Sequence, residues 1–284
     1  MFQRKVSVIG VSFNLYSEFS ELENIWKQIL QGLWEPQTFR ILRNLLDETH
    51  CALEVGIDLG QTTMFTSSVV GRLIAIEPSV DCIHIVEKHL KSNPALLNKT
   101  TLIHGALANL KGKLFFGKGS TLFDDIHFES HDPKAIVDGY TIEDIEEIAG
   151  RKITFINMDI EGGEFVVLGS MISWLRIRKP ILLLSLHPGF LLTDKWRERP
   201  LFIRYIKRII EQKKIYMAIR VYPYIYDAIT LKRVFPFTIF RFKYVRSRSA
   251  HNSQILCLNF KIQKSLKLKI QDISQLESQI SFGG

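Results

Sequence analysis

The sequence predicts an α/β protein whose mostly parallel sheet is covered by helices on both faces. From Cys51 onward, short runs of apolar residues alternate with amphipathic stretches of helical period. Several runs are apolar throughout rather than on alternate residues, the pattern of a strand buried on both faces, as parallel strands are. Several also end in Gly, Asp or Glu immediately before the next helical stretch, which is how a strand passes into a helix in a βαβ unit. The composition agrees: 284 residues, 46% hydrophobic, 23% charged, 17 Gly and 9 Pro exclude a collagen, a long disordered chain and a disulfide-stapled mini-protein.

Residues 1–50 read as an N-terminal helical extension. Ile25, Ile29 and Leu33 share one face, Phe39, Leu42, Leu45 and Leu46 another, and Pro36 separates them. Strands are expected at 53–57, 73–76, 101–104, 153–158 and 181–186, with helices near 61–70, 80–92, 141–149 and 164–176. A basic amphipathic helix over 201–213 leads to a strand at 216–222. Residues 223–252 form an aromatic and basic insertion containing Phe235, Phe237, Phe240, Phe242 and Tyr244, before a last strand at 254–262. A basic and then polar tail fills 263–284. With no internal repeat and no long linker, 51–262 reads as one domain.

The formal charge of +8 hides a division. Residues 1–194 carry 18 basic and 24 acidic side chains, whereas 195–284 carry 19 and 5, so net −6 stands beside net +14. That split suggests one basic face or tail on a near-neutral body. Cys51, Cys82 and Cys257 lie far apart in apolar contexts and read as reduced thiols. The longest apolar stretch, 181–192, is shorter than the ~20 residues of a membrane helix, and the N-terminus does not read as a signal peptide. The expectation is a cytoplasmic protein, with peripheral membrane attachment left open.

Four segments carry candidate chemistry. The first strand ends in Glu54-Val-Gly56-Ile-Asp58-Leu-Gly60, where glycines let the backbone approach a ligand and the following helix offers unpaired N–H groups. The second strand ends in Glu77, placed where a nucleotide-binding βαβ unit puts the acidic residue that accepts from the ribose hydroxyls. Asp58 stands where a pyrophosphate fingerprint has a glycine, and a carboxylate there repels pyrophosphate but suits a cationic group. S-adenosylmethionine, with adenosine at one end and a sulfonium and ammonium at the other, therefore fits better than a dinucleotide. Third comes Asn157-Met-Asp159-Ile-Glu161-Gly162-Gly163-Glu164, a strand releasing three carboxylates at the end where open α/β sheets bind ligands. Asp159 and Glu164 could equally cap and charge the next helix. Fourth, Ser185-Leu-His187-Pro188 brings an imidazole to the same rim, suited to taking a proton from a hydroxyl or to a hydrogen-bonded turn.

Taken in order, Trp34-Glu-Pro-Gln-Thr-Phe, the Glu54–Thr63 turn, Ala75-Ile-Glu-Pro78, Leu90-x-x-Asn93-Pro94, Gly105-Ala106, Thr141-Ile-Glu-Asp144, Asp159-Ile-Glu-Gly-Gly-Glu-Phe165 and Leu186-His187-Pro188 resemble the FkbM-type S-adenosylmethionine-dependent methyltransferases over about residues 34–190. The resemblance implies a class I methyltransferase (Rossmann-like) three-layer sandwich, with a mostly parallel seven-stranded sheet and an antiparallel last strand. It implies O-methylation, often of sugars or secondary-metabolite hydroxyls. It assigns Glu54, Gly56, Asp58 and Gly60 to the cofactor loop, Glu77 to the ribose, and Gly105 and Ala106 to the adenine side. The chain departs from the family's usual residues at Ile57-Asp58, at Gln61 and at Ser185, where a glutamate two residues before the histidine is common.

Methyl transfer is an in-line displacement that chiefly needs alignment and removal of the acceptor's proton. Asp159 and His187 are the expected acid–base pair and Glu161 the next candidate. No metal is required, although the three carboxylates could instead hold Mg²⁺ or Mn²⁺. The basic region 195–284 could be a solvated face, recognise an anionic glycan-type acceptor, or rest on an anionic membrane. RNA is the least favoured partner. The rival to an active O-methyltransferase is a methyltransferase-like binding module in which the departures mark lost catalysis.

Overall fold

The computed structural model describes residues 2–17, 20–116, 135–160, 162–187, 200–237 and 254–271. Two compact units divide it, Met1–His104 with Ile262–Gly284, and Gly105–Lys261.

In the first unit, β1 (Phe2–Val8) and β2 (Val11–Ser17) pair antiparallel around Ile9-Gly10. Both turn residues have positive φ, 48° and 73°, as a tight hairpin turn with right-handed twist demands. Val6, Val8, Phe13 and Leu15 are buried at alternate positions, so period two governs this segment. The helical reading of the extreme N-terminus is thereby corrected; helices start only with α1 (Ser20–Leu30) and α2 (Pro36–Leu45). Pro36 begins α2, where its missing N–H is not needed. The strands β3 (Cys51–Val55), β4 (Arg72–Glu77) and β5 (Thr100–Leu107) then alternate with α3 (Gln61–Val69), α4 (Val80–Lys91) and α5 (Pro94–Leu97). β4 pairs parallel with both β3 and β5. All five residues of β3 are buried, the two-sided cover expected of a parallel strand. Within the expected tail, Lys264–Gln271 is helical, although the segment has few apolar residues to signal it.

The second unit takes up the last residues of β5, which pair parallel with β7 (Ala135–Tyr140); β6 (Gly112–Phe116) runs antiparallel to β7. α6 (Ile142–Ala149) opens with a capping box in which Thr141 and Asp144 satisfy each other's backbone N–H. β8 (Phe155–Met158), α7 (Glu164–Arg178) and β9 (Ile181–Ser185) form a parallel βαβ unit. α8 (Leu201–Ile219) leads to β10 (Tyr224–Asp227) and the short β11 (Arg233–Val234). The last strand, β12 (Gln254–Leu258), runs antiparallel between β9 and β10.

The α/β class and the antiparallel last strand are as the sequence predicts. β3, β4, β5, β8, β9 and β12 coincide with six of the expected strands, β10 falls within the expected 223–252 insertion, and β6, β7 and β11 are further additions. One expected strand is replaced: 216–222 continues α8 as far as Ile219. Its residues favour strands individually, but Ile215, Ala218 and Ile219 are buried together, and that i, i+3, i+4 spacing is helical. Much of the 223–252 insertion, and most of the final tail, lies outside the described residues.

Candidate active site

In the first unit the turn between β3 and α3 is held in left-handed backbone by Gly56 (φ 81°), Asp58 (φ 44°) and Gly60 (φ 85°). Asp tolerates this region better than most residues with a side chain, so Asp58 is compatible with a glycine-like position. It is exposed, and Gln61 Nε2 donates to its Oδ2 at 3.0 Å; thus two of the departures from the family pattern form one contact. Gly60 is close-packed as well, since a Cβ there would meet Val86 Cγ2 at 2.7 Å.

Glu77 ends β4 as expected, 6% exposed. Its Oε2 accepts from Ile57 N–H at 3.1 Å and its Oε1 from Ser79 N–H at 2.9 Å. Burial raises its pKa from the usual carboxylate value, against the lowering effect of those N–H groups. A carboxylate has about four lone-pair sites, so capacity remains for ribose hydroxyls. The positive-φ turn and this carboxylate therefore fit the nucleoside end of S-adenosylmethionine. Glu54, the first residue assigned to the cofactor loop, faces the interior. It is fully buried, and its two oxygens accept from Thr63 Oγ1 at 2.7 Å and Thr66 Oγ1 at 2.6 Å, fastening α3 to β3.

In the second unit, Gly105 and Ala106, assigned to the adenine side, are closely packed. A Cβ on Gly105 would meet Asp138 O and Tyr140 Cε2 at 2.7 Å, and Ala106 belongs to an apolar cluster with Ala108, Leu114 and Val137. Asp159 and His187, by contrast, come together: Asp159 Oδ1 lies 3.4 Å from His187 Nε2. The opposite ring nitrogen, Nδ1, is 2.6 Å from Glu164 Oε1. His187 is 4% exposed and Glu164 fully buried, while the Asp159 side chain is 37% exposed. The local sequence explains the convergence. Gly162 takes φ 107°, and a Cβ on Gly163 would collide with the Ile160 side chain, so the paired glycines allow the tight turn that joins Asp159 to Glu164.

Glu164 was expected as a candidate cap; the structure makes it the partner that orients His187. An acceptor-only carboxylate on Nδ1–H fixes the tautomer and directs Nε2 toward Asp159. The carboxylate beside His187 Nδ1 thus comes from α7, and Ser185 lies 3.1 Å from Gln254 Nε2, which donates to its hydroxyl. Glu161 and Pro188 lie outside the described residues. Among the described residues no set of three His, Cys, Asp or Glu is arranged to hold a metal ion.

Glycine turn, strand-end carboxylate and antiparallel last strand define a Rossmann-like α/β protein of the class I methyltransferase type. Residues 54–212 match the family described as the methyltransferase FkbM domain, and the chain belongs to that family. Among solved structures, it is similar to methyltransferase FkbM from Methylobacillus flagellatus, with 18% identity and a TM-score of 0.40 over 56% of this chain and 40% of that one. The chain thus spans less than half the length of that protein. It is also similar to an O-methyltransferase from Bacillus cereus, with 15% identity and a TM-score of 0.39 over 74% and 83% of the two chains. An rRNA methylase from Streptococcus thermophilus shows 10% identity and a TM-score of 0.33 over 60% and 75%. None of these likenesses bears on the reaction. No curated protein matches the chain.

Proposed function

We propose that the protein is an S-adenosylmethionine-dependent O-methyltransferase acting on a hydroxyl of a glycan or related small molecule. The observation that supports it most is the buried His187 held between Glu164 at 2.6 Å and Asp159 at 3.4 Å. A hydroxyl must lose its proton as it is methylated. Nε2 of His187 takes that proton, Glu164 stabilises the imidazolium through Nδ1–H, and the more exposed Asp159 steers the hydroxyl toward Nε2. Gly56, Asp58, Gly60 and Glu77 would hold the cofactor, with Glu54 setting the loop from beneath. When bound, S-adenosylmethionine supplies an electrophilic methyl group on a sulfonium. The carboxylate that Glu164 sets beside His187 Nδ1 argues against lost catalysis.

Calorimetric titration with S-adenosylmethionine tests the cofactor assignment: a binding heat is expected for the native chain and its loss in Glu77→Ala. No heat up to millimolar cofactor sinks the reading. For the reaction, glycans incubated with protein and cofactor should gain one methyl by mass spectrometry, and His187→Ala should abolish the gain.

The basic region favours an anionic acceptor or an anionic membrane surface. Exposed Phe202, Ile206, Ile209 and Ile210 on α8, within a segment of net +14, support peripheral contact of a cytoplasmic protein with such a surface. No helix among the described residues is long and apolar enough to cross a membrane.

A further inference from the structure

One buried titratable side chain touches the glycine turn from behind and takes no part in the chemistry above. His89, on α4, is 1% exposed. Its Nδ1 accepts from Tyr16 N–H at 3.0 Å, so in the neutral ring the proton is on Nε2. That Nε2–H has no hydrogen-bond partner among the described residues. The ring edge faces the turn: His89 Cδ2 would lie 3.6 Å from a Cβ on Gly60, and the carbonyl of Leu59 acts on the ring in the sense that favours a proton there.

The hairpin is fastened at the same place. Asn93 Oδ1 accepts from Asn14 N–H at 2.8 Å, Asn93 Nδ2 donates to Asn14 O and His89 O at 2.7 Å, and Asn14 Nδ2 donates to Ser92 O at 3.1 Å. Three of these bonds, together with that from Tyr16 N–H to His89, tie β2 to the end of α4 that packs on the turn. A buried donor without an acceptor is costly, and the Leu59 carbonyl is the acceptor whose approach would relieve it.

We propose that His89 is a positioning residue for the 56–60 turn, its Nε2–H closing on the Leu59 carbonyl when the turn tightens on its ligand, so that the N-terminal hairpin sets how firmly the loop grips. This rests on the reading of the turn as the cofactor loop. His89→Asn keeps an acceptor for Tyr16 N–H but is too short to reach Leu59, whereas His89→Gln keeps a donor at the far end. The probes are S-adenosylhomocysteine affinity and amide hydrogen exchange of residues 57–61 in the free protein.

His89→Asn is expected to weaken S-adenosylhomocysteine about ten-fold, the usual worth of one hydrogen bond, and to speed loop exchange, while His89→Gln stays within about three-fold. Asn93→Ala, which loosens the hairpin without altering the ring, should also speed loop exchange. If these variants lose thermal stability while loop exchange and affinity match the native chain, His89 is a packing residue and the proposal is overturned. Should the native protein not bind S-adenosylhomocysteine, the cofactor reading falls. Loop exchange then still decides: faster exchange in His89→Asn upholds the clasp, and unchanged exchange overturns it.

Discussion

At the scale of single residues, two histidines of similar burial have opposite surroundings. His187 is flanked by carboxylates on both ring nitrogens, whereas His89 receives a backbone N–H on one and has no hydrogen-bond partner among the described residues on the other. A carboxylate on Nδ1–H orients His187 and stabilises the proton it takes up in the reaction, whereas a donated N–H favours a neutral His89 ring. Glu164→Gln should therefore reduce turnover by about 10²-fold or more, the range for a positioned general base, with cofactor affinity little changed. An acceptor-independent check is proton NMR: the short Nδ1–H bond should give a far-downfield resonance that disappears in Glu164→Gln. For His89, burial pushes the pKa down from 6.5 to about 4. The unfolded chain then binds a proton below pH 6.5 that the folded ring refuses until about pH 4. Its contribution is whole above pH 6.5 and is lost as pH falls toward 4, a loss of roughly 3 kcal/mol. Stability measured by denaturant titration should fall across that window, and His89→Gln should flatten the slope. Glu77, whose pKa burial raises from its ordinary 4.5, acts in the opposite sense within this window, so the histidine's share is the difference between the native chain and His89→Gln.

At the scale of elements, the locking of α3 to β3 gives a direct test. Thr66→Val removes a hydroxyl donor from the fully buried Glu54 carboxylate and should cost about 1–3 kcal/mol, read as a lower urea midpoint. Thr62→Val, on the half-buried side of α3, should change it by less than about 0.5 kcal/mol. This contact also shows where the sequence was legible. Strands such as β3 and β9 announce themselves because burial on both faces requires every residue to be apolar or internally paired. The hairpin was missed because its polar positions interrupt short runs, and Ile9-Gly10 lacks the Asn or Asp that usually marks such a turn. At 216–222 residue preference pointed to a strand, but packing of Ile215, Ala218 and Ile219 prevailed. In the site, Asp159, His187 and Glu77 were legible as groups at strand ends. The roles of Glu54 and Glu164 were not, because each depends on a partner 9 to 23 residues away that only the packing of α3 or α7 supplies.

At the scale of the molecule, the charge division is the property left to test. The residues proposed for catalysis and cofactor binding all fall within the net −6 portion, suited to a cationic sulfonium, and the excess of +14 beyond residue 194 lies apart from them in sequence. On α8, at ~100° per residue, Phe202, Ile206, Ile209 and Ile210 fall within about 100° of one another, opposite the buried Ile215, Ala218 and Ile219. The exposed Lys213 continues that stripe. An exposed apolar stripe in a cationic segment matches an anionic bilayer, where buried apolar area and roughly 1 kcal/mol for each nearby cation add together. The chain should co-sediment with phosphatidylglycerol-containing vesicles at low salt and not with pure phosphatidylcholine. Binding should weaken as salt approaches 1 M, where the screening length falls to about 3 Å. Replacing Phe202, Ile206 and Ile210 together by Ser should release the protein without lowering cofactor affinity. Equal binding to neutral vesicles would remove charge from the explanation. Failure to bind either vesicle, with a concentration-dependent doubling of mass that the triple variant loses, would mean that a second copy of the chain covers the stripe instead.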